Sequence, residues 1–180
     1  MKVTRTDLPG VLMIEPKMFG DNRGFFLETF HLQRYAEMAG IRQPFVQDNH
    51  SRSQRGVLRG LHLQKRHPQG KLVRVARGEV FDVVADIDPR SPTFARWVGI
   101  ALSEENGRQV WIPPGYAHGF VTVSEVADFE YKCTDFYDPE SEAGVIWNDP
   151  DLAIEWPCET PLVSSKDMKL PTLAALRQGS

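Results

Sequence analysis

Two of the five histidines lie in segments whose residue types suit chemistry. His62 ends the run Gly-Val-Leu-Arg-Gly-Leu-His that begins at Gly56, and His118 ends the run Pro-Pro-Gly-Tyr-Ala-His that begins at Pro113. A lone histidine on a strand is more often structural, but the spacing of these two favours a functional site. A histidine titrates near neutrality and is suited to accept and return protons. Together with the neighbouring arginine, the first run predicts acid–base chemistry on an anionic substrate.

The spacing around both histidines resembles the two motifs of metal-binding cupins. In the first motif a glycine stands six residues before a His-x-His pair, as Gly56 stands before His62. In the second, the segment Gly107–His118 repeats the spacing of glycine, proline, glycine and histidine. The resemblance implies a double-stranded β-helix jelly roll, that is, a cupin-like barrel that holds a ligand in its mouth.

The metal ligands of those motifs are incomplete in this chain. Gln64 stands where the second histidine is expected, Pro68–Gln69 where a glutamate is expected, and Thr122 where an asparagine is expected. A stable divalent site usually needs three histidine or carboxylate ligands, and His62, His118 and a glutamine are a poor set. The sequence therefore predicts a barrel with no catalytic metal and no cofactor.

Short strands dominate the pattern that must position these residues. The chain has 14 glycines and 13 prolines, and they interrupt runs that are rich in β-branched and aromatic residues. The predicted strands are 24–30, 45–51, 57–64, 72–77, 80–87, 95–102, 110–112, 119–123, 127–135 and 145–147. Arg77–Glu79 is predicted to join two of them as a hairpin. This pattern predicts an all-β sandwich or barrel, of which a jelly roll is a good candidate.

Helices are few. Leu32, Tyr35 and Ala39 follow helical spacing, and Gly40 is placed to cap the helix. A second short helix is predicted near Thr172–Arg177. The 180 residues are predicted to form a single domain with an N-terminal strand arm and a C-terminal tail.

Composition excludes several functions. No apolar run is long enough to cross a membrane, and the first residues lack the apolar core of a signal peptide. The two cysteines form no disulfide framework, so a reduced, cytoplasmic protein is expected. The net charge of −3 gives no case for a nucleic-acid surface. It conceals a basic block, Arg42–Arg77, with nine basic residues and one acidic residue, which suits a small anionic ligand.

Longer segments carry a closer resemblance. These segments are Phe19–Glu28, Phe45–Ser51, Gly56–His62, Gln69–Val73, Trp111–Phe120, Tyr131–Thr134, Trp147–Pro150 and Leu162–Asp167. In this order they resemble the dTDP-4-dehydrorhamnose 3,5-epimerase family, from about Gly10 to Asp167. The resemblance implies a cofactor-independent isomerase that inverts C3 and C5 of dTDP-4-dehydro-6-deoxy-D-glucose and gives dTDP-4-dehydro-L-rhamnose. It also implies a homodimer.

The resemblance assigns roles to four catalytic residues. His62 matches the base that removes the protons next to the C4 ketone, and Asp167 matches the carboxylate that orients it. Tyr131 matches the proton donor, and Lys71 matches the residue beside the C4 oxygen, where an ammonium opposes enolate charge. Tyr137 is a second aromatic residue nearby that is expected to influence the conformation of the sugar.

The resemblance also assigns contacts with the nucleotide sugar. The polar positions are Arg23, Glu28, Gln47, Asn49, Arg59, His118, Glu142 and Lys166, and the aromatic ones are Phe19 and Phe26. Arg59 and His62 have opposite parity on one strand, so a regular strand points them to opposite faces. Either a bulge at Gly60 turns both toward the site, or Arg59 reaches the ligand from the rim.

Three other readings stay open from the sequence. A 3- or 5-epimerase, or a 3,4-ketoisomerase of dTDP-deoxysugar synthesis, would share the fold and much of the site. A metal-dependent cupin oxygenase would need a metal at the incomplete ligand set. A non-catalytic sugar-nucleotide binding module would bind dTDP without turnover.

Overall fold

Strands form most of the regular secondary structure, as the sequence predicts. The computed structural model describes residues 1–178, so residues 179 and 180 of the expected tail lie outside the described residues. The strands are β1 (Lys2–Arg5), β2 (Leu12–Glu15), β3 (Met18–Asp21), β4 (Gly24–Leu27), β5 (Gln47–Gln54), β6 (Val57–Gln64), β7 (Lys71–Arg77), β8 (Glu79–Ala85), β9 (Trp97–Ser103), β10 (Gln109–Ile112), β11 (Ala117–Thr122), β12 (Val126–Cys133), β13 (Glu142–Gly144) and β14 (Leu162–Val163). The helices are α1 (Leu32–Ala39) and α2 (Leu173–Gln178).

Two sheets face each other across the main core. The first has the order β1-β2-β10-β7-β12-β5, and the second has the order β13-β6-β11-β8-β9, with β14 beside β6. β3 and β4 form a separate two-stranded hairpin. This arrangement confirms the all-β, cupin-like jelly roll with two short helices. Within residues 1–178 no helix has both the length and the apolar character needed to cross a membrane.

The core has three layers. Between the sheets pack valines, leucines and two stacked phenylalanines, Phe120 and Phe129, whose ring centroids lie 4.2 Å apart. The outer face of the second sheet is covered by the C-terminal segment, including Leu152 and Leu173. Helix α1 covers part of the outer face of the first sheet through the buried Tyr35. The helix ends at Gly40 with φ of 71°, as its predicted cap requires.

The predicted hairpin at Arg77–Glu79 is wrong. β7 pairs with β10 and β12 in the first sheet, whereas β8 pairs with β9 and β11 in the second. The chain therefore crosses between the sheets at Gly78. The physical reason lies in β8, where Val84 packs between the sheets and Val83 packs under the C-terminal segment. β8 is apolar on both faces, and in the second sheet one face is covered by the core between the sheets and the other by the C-terminal segment.

Smaller errors concern short or distant pairings. The predicted strand 145–147 is not formed, and the pairing residues are instead those of β13. Val145 follows this strand and exchanges two backbone hydrogen bonds with Leu61, at 3.1 and 3.2 Å. The sequence also missed β1, β2, β3 and β14, because four-residue and two-residue strands carry too little alternation to recognise.

The edge of β6 is shared by two partners and open between them. β13 pairs with the C-terminal end of β6, where Gly144 lies opposite His62. β14 runs parallel to its N-terminal end, where Leu162 lies opposite Val57. Val145 extends the first pairing to Leu61, so Arg59 and Gly60 lie in the gap between the two partners. This gap is where a distant segment of the chain reaches the strand.

A bulge at Gly60 gives β6 its shape in this gap. On the other side of β6, His118 lies opposite His62 and Phe120 lies opposite Arg59, so β6 has one more residue than β11 between these pairs. Gly60 has φ of 120°, and a Cβ atom there would lie 2.6 Å from Cα of Gly119. The peptide bond between Gly60 and Leu61 is cis. Only glycine fits both the conformation and the close approach.

We predict that Gly60→Ala destabilises the protein much more than Gly115→Ala. Both glycines have positive φ, but a Cβ at Gly115 has no atom within 4 Å, so that variant isolates the conformational effect. We expect losses in the free energy of unfolding of about 1 to 2 kcal/mol for Gly115→Ala and about 3 to 5 kcal/mol for Gly60→Ala. Urea unfolding measures both, and equal losses would show that the contact with Gly119 is unimportant.

Candidate active site

A cavity of about 600 Å³ opens between the two sheets. A neighbouring lobe of about 350 Å³ shares His62, Lys71, Tyr131 and Glu142 with it. The second sheet contributes Arg59, His62 and His118 to the main cavity, and the first sheet contributes Lys71 and Tyr131. The structure thus brings the four predicted catalytic residues and seven of the eleven predicted contact residues to one connected cavity. Gln47, Asn49 and Tyr137 line the lobe.

His62 and Asp167 form a hydrogen-bonded dyad. Nε2 of His62 lies 2.7 Å from Oδ1 of Asp167, and Oδ2 accepts a hydrogen bond from the backbone N–H of Gly60 at 3.3 Å. Asp167 begins a 3-10 turn, Asp167–Lys169, and its own N–H donates to Oγ of Ser164 at 3.0 Å. The carboxylate fills the gap at the edge of β6 and accepts from Nε2. Nδ1 of His62 is therefore the ring nitrogen left to act as a base.

The Gly60 bulge also settles the direction of Arg59. Because of the extra residue, Arg59 and His62 line the same cavity despite their opposite parity in a regular strand. Nε of Arg59 donates to Oγ of Ser53 at 3.1 Å, which fixes the inner part of the guanidinium. Of the two alternatives that the sequence leaves open, the structure shows the bulge at Gly60.

Tyr131 and Lys71 lie on adjacent strands of the opposite sheet. The Nζ atom of Lys71 is 5.8 Å from the centroid of the Tyr131 ring, and Lys71 lies opposite Cys133 in the strand register. Burial raises the pKa of the Tyr131 phenol, so it is protonated at neutral pH. Burial lowers the pKa of the Lys71 ammonium, against the opposing effects of Cys133 and Glu142. A proton donor and a cation therefore face the dyad.

A second histidine–carboxylate pair lies deeper in the cavity. Nε2 of His118 is 2.7 Å from Oδ2 of Asp82, and both side chains are buried. The His118 ring stacks on Phe129 with centroids 6.0 Å apart. Asp82 was missed as a site residue in the sequence. Its signal was a carboxylate inside an otherwise apolar, alternating strand, which is costly unless the charge has a partner.

A three-residue cluster stands at the mouth of the cavity. Oε2 of Glu142 accepts hydrogen bonds from the Tyr137 hydroxyl at 2.5 Å and from Nζ of Lys166 at 2.6 Å. Burial acts to raise the pKa of Glu142, but these two hydrogen bonds hold it below its usual value. The same contacts raise the pKa of Lys166. The cluster is therefore charged at neutral pH and joins three separate segments of the chain.

Four predicted contact residues lie apart from the cavity. Phe19, Arg23 and Phe26 belong to the β3–β4 hairpin, where both phenylalanines are more than half exposed. Arg23 pairs with Asp21 within the hairpin, at 2.5 Å. Glu28 follows the hairpin and pairs with Arg34 of α1. None of the four lines the cavity within the described chain, because β3 and β4 pair only with each other.

Gln64 stands where metal-binding cupins have a histidine ligand, and its side chain bonds the backbone instead. Gln64 is buried, and its amide bonds carbonyl and N–H groups of neighbouring loops. Within residues 1–178 no group of three or more histidine, cysteine or carboxylate side chains is placed to hold a metal ion. The prediction that the enzyme uses no metal and no cofactor stays a prediction.

These features define an isomerase on a cupin-like barrel, and comparison with known proteins identifies the family. The family model of dTDP-4-dehydrorhamnose 3,5-epimerase matches residues 5–175. The chain belongs to this family. An enzyme of that name from Pseudomonas aeruginosa is 58% identical over 168 residues, covering 93% of each chain.

Two further relatives describe the range of the family. The solved structure of a Legionella pneumophila 3,5-epimerase in complex with dTDP-4-keto-L-rhamnose is 55% identical, with a TM-score of 0.93, and the match covers 96% of this chain and 93% of that one. A dTDP-4-dehydrorhamnose 3-epimerase from Streptomyces niveus is 41% identical over 178 residues, covering 98% of this chain and 86% of its own. Enzymes that differ in the number of centres they invert therefore resemble this chain.

The lowered pKa of Lys71 predicts a stability effect that depends on pH. Protonated Lys71 destabilises the folded state, since its pKa is lower there than in the unfolded chain. The effect is fully present below the folded-state pKa and disappears as the pH rises through it toward the pKa of the unfolded chain, so it is larger at pH 7 than at pH 10.5. We therefore expect Lys71→Met to raise the free energy of unfolding at pH 7 and to raise it less at pH 10.5.

Urea unfolding at the two pH values measures this difference. Lys65→Met, at an exposed lysine just after β6, controls for the loss of one positive charge. A Lys71→Met variant that is less stable than the wild type at pH 7 would contradict the account.

Proposed function

We propose that the protein is a dTDP-4-dehydrorhamnose 3,5-epimerase that inverts C3 and C5 of dTDP-4-dehydro-6-deoxy-D-glucose. The observation that carries the proposal is the His62–Asp167 dyad on one sheet, facing Tyr131 and Lys71 on the other. Inversion next to a ketone needs a base on one face of the sugar, an acid on the opposite face, and a cation for the enolate. The names of the relatives support the same reaction.

The proton transfers follow from this geometry. Nδ1 of His62 takes the proton from the carbon next to the C4 ketone, and the electron pair of the C–H bond forms the enolate. The Asp167 carboxylate stabilises the imidazolium, and the Lys71 ammonium stabilises the C4 oxyanion. The Tyr131 phenol then gives its proton to the opposite face of the same carbon. Transfer of the His62 proton back to the tyrosinate, through water, restores the enzyme for the second centre.

Cationic side chains in the cavity support binding of the diphosphate. Arg59 has a guanidinium that suits paired hydrogen bonds to phosphate oxygens, and Lys166 stands beside it at the mouth. His118 lies deeper, with one ring nitrogen held by Asp82 and the other available to the ligand. We propose that Gln47, Asn49, Glu142 and Tyr137 contact the sugars or the base. These roles rest on position in the cavity and on the family resemblance.

We also propose that the protein is a homodimer of single-domain chains whose β3–β4 hairpins complete each other's sites. The hairpin exposes Phe19, Phe25 and Phe26, each more than half exposed, and such apolar patches usually mark contact surfaces. It also carries Arg23, beside Glu28, and neither lines the cavity of its own chain. Analytical ultracentrifugation should give twice the mass of one chain. The double variant Phe19→Ser/Phe26→Ser should sediment as a single chain, and this loss would support the dimer.

The two free cysteines suit the cytoplasm, which is the location we propose.

A second candidate function is inversion at C3 alone. The Streptomyces niveus relative, named as a 3-epimerase, supports it. The relatives named as 3,5-epimerases are more similar, at 51 to 58% identity in several bacteria. Both candidates share the base and the acid, so they differ in which carbons exchange protons with solvent.

We predict that the enzyme in D₂O incorporates deuterium at both C3 and C5 of the dTDP-keto sugar. His62→Asn keeps the size and polarity of the ring edge but cannot act as the base, so we expect at least a roughly 10³-fold slower exchange at both carbons. NMR of the sugar measures exchange, and calorimetry with dTDP checks that the variant still binds. His31→Asn, at an exposed histidine outside the cavity that caps α1, is the matched control, since asparagine can also cap a helix.

The outcomes of this experiment, together with a separate chelator test, distinguish the remaining readings of the function. Exchange at C3 alone would favour the 3-epimerase. Binding of dTDP without exchange at either carbon would indicate a binding module. Activity that disappears on dialysis against a chelator and returns with a divalent metal would contradict the metal-free mechanism.

A further inference from the structure

The segment after β12, residues 135–138, is held by glutamine side chains and lies outside both sheets. Nε2 of Gln64 donates to the carbonyl oxygen of Phe136 at 3.2 Å, and Oε1 of Gln64 accepts from the N–H of Asp138 at 2.9 Å. The amide therefore clamps the segment on both sides of Tyr137. Buried backbone groups need partners, and here side chains replace a neighbouring strand.

Two more glutamines hold the same segment. Oε1 of Gln47 accepts from the N–H of Tyr137 at 2.9 Å, and Nε2 of Gln69 donates to the carbonyl oxygen of Asp135 at 2.8 Å. Each of the four consecutive residues thus has one backbone group bonded to a glutamine. These glutamines come from β5, β6 and the loop after β6. We call Gln47, Gln64 and Gln69 the glutamine clamp.

Gln64 is the central member and is suited to this task. It is 6% exposed and makes a third hydrogen bond, from Nε2 to the carbonyl oxygen of His67 at 2.7 Å. A primary amide offers two donor hydrogens and an acceptor oxygen at one site, which neither histidine nor glutamate offers. The residue that replaces a metal ligand of other cupins therefore has a positive reason to be glutamine.

The segment carries Tyr137 to the mouth of the site. The ring lines the same lobe as His62, Lys71 and Tyr131, and its hydroxyl is bonded to Glu142. Tyr137 is 52% exposed, so little packing holds it from the solvent side. Its position over the lobe is therefore set by its backbone and by the one hydrogen bond to Glu142.

We propose that Gln64, together with Gln47 and Gln69, is a positioning residue that keeps Tyr137 over the cavity and so retains the sugar between the two inversions. The proposal rests on the proposed 3,5-epimerase function. After the first inversion the intermediate is a 4-keto sugar whose ring carries no charge. It must stay bound while the second carbon reaches the same base and acid. A wall across the mouth slows its departure, so the second inversion competes better with release.

The test is Gln64→Glu, which preserves the shape and the acceptor for Asp138 N–H but replaces both donor hydrogens by an oxygen. That oxygen faces two carbonyl oxygens, so we expect the segment to move. We expect kcat/KM to fall roughly tenfold, the effect of losing hydrogen bonds of ordinary strength. We also expect the fraction of released sugar with deuterium at only one of C3 and C5 to rise several-fold, as measured by NMR and mass spectrometry in D₂O.

Controls separate positioning from general stability. Gln54→Glu, at the exposed end of β5, introduces the same charge outside the clamp. If the clamp acts through Tyr137, adding Gln64→Glu to Tyr137→Phe changes the singly exchanged fraction much less than it changes that of the wild type. Gln69→Glu removes one donor of the clamp and should produce a smaller change in the same direction. If Gln64→Glu does not fold, the Gln69→Glu variant tests whether the glutamine clamp retains the sugar.

An active Gln64→Glu enzyme that releases the wild-type fraction of singly exchanged sugar would overturn this inference and leave the proposed function intact. For a variant that does not fold, the same result with Gln69→Glu would overturn it. A wild-type enzyme that exchanges neither carbon would instead overturn the proposed function, and this inference would fall with it.

Discussion

The contact between Asp167 and the edge of β6 is the interaction on which the site depends. β14 pairs with one end of β6, and β13 with Val145 pairs with the other. Arg59 and Gly60 are left between them, and there Asp167 accepts from Gly60 N–H and from His62. The carboxylate is nearly inaccessible to solvent, so its charge is stabilised by these donors. One buried group thus joins the C-terminal segment to the barrel, holds Nε2 of His62 and leaves Nδ1 as the other ring nitrogen.

The two sheets divide the chemistry between them. His62 lies on the second sheet with Asp167 bonded to it, while Tyr131 and Lys71 lie on the first sheet, across the cavity. A reaction that removes a proton from one face of a sugar and adds one to the other needs this separation. A shared apolar core, in which Phe120 and Phe129 stack, holds the two sheets and so fixes the side chains on either side of the cavity.

Much of the local structure could be predicted from the sequence. The bounds of β6, the helix ending at Gly40 and the bulge at Gly60 follow from patterns within a few residues. Contacts between residues far apart in the sequence could not be predicted in this way. Asp167 lies 105 positions from His62, and neither periodicity nor spacing joins them. The resemblance to a family supplied that step. The hairpin expected at Gly78 failed because local turn signals do not say to which sheet the next strand belongs. The β3–β4 hairpin pairs with no other strand of the described chain, so its place could not be predicted from strand patterns.

The most direct test of acid and base on opposite sheets is the fate of the sugar protons in Tyr131→Phe. With His62 intact and the phenol removed, the account predicts that C3 and C5 still exchange with D₂O, because His62 returns a solvent-derived deuteron to the face from which it took the proton. The configuration at both centres is then retained, and dTDP-4-dehydro-L-rhamnose is not formed. Inversion by Tyr131→Phe at a rate near that of the wild type would contradict the assignment of Tyr131 as the acid.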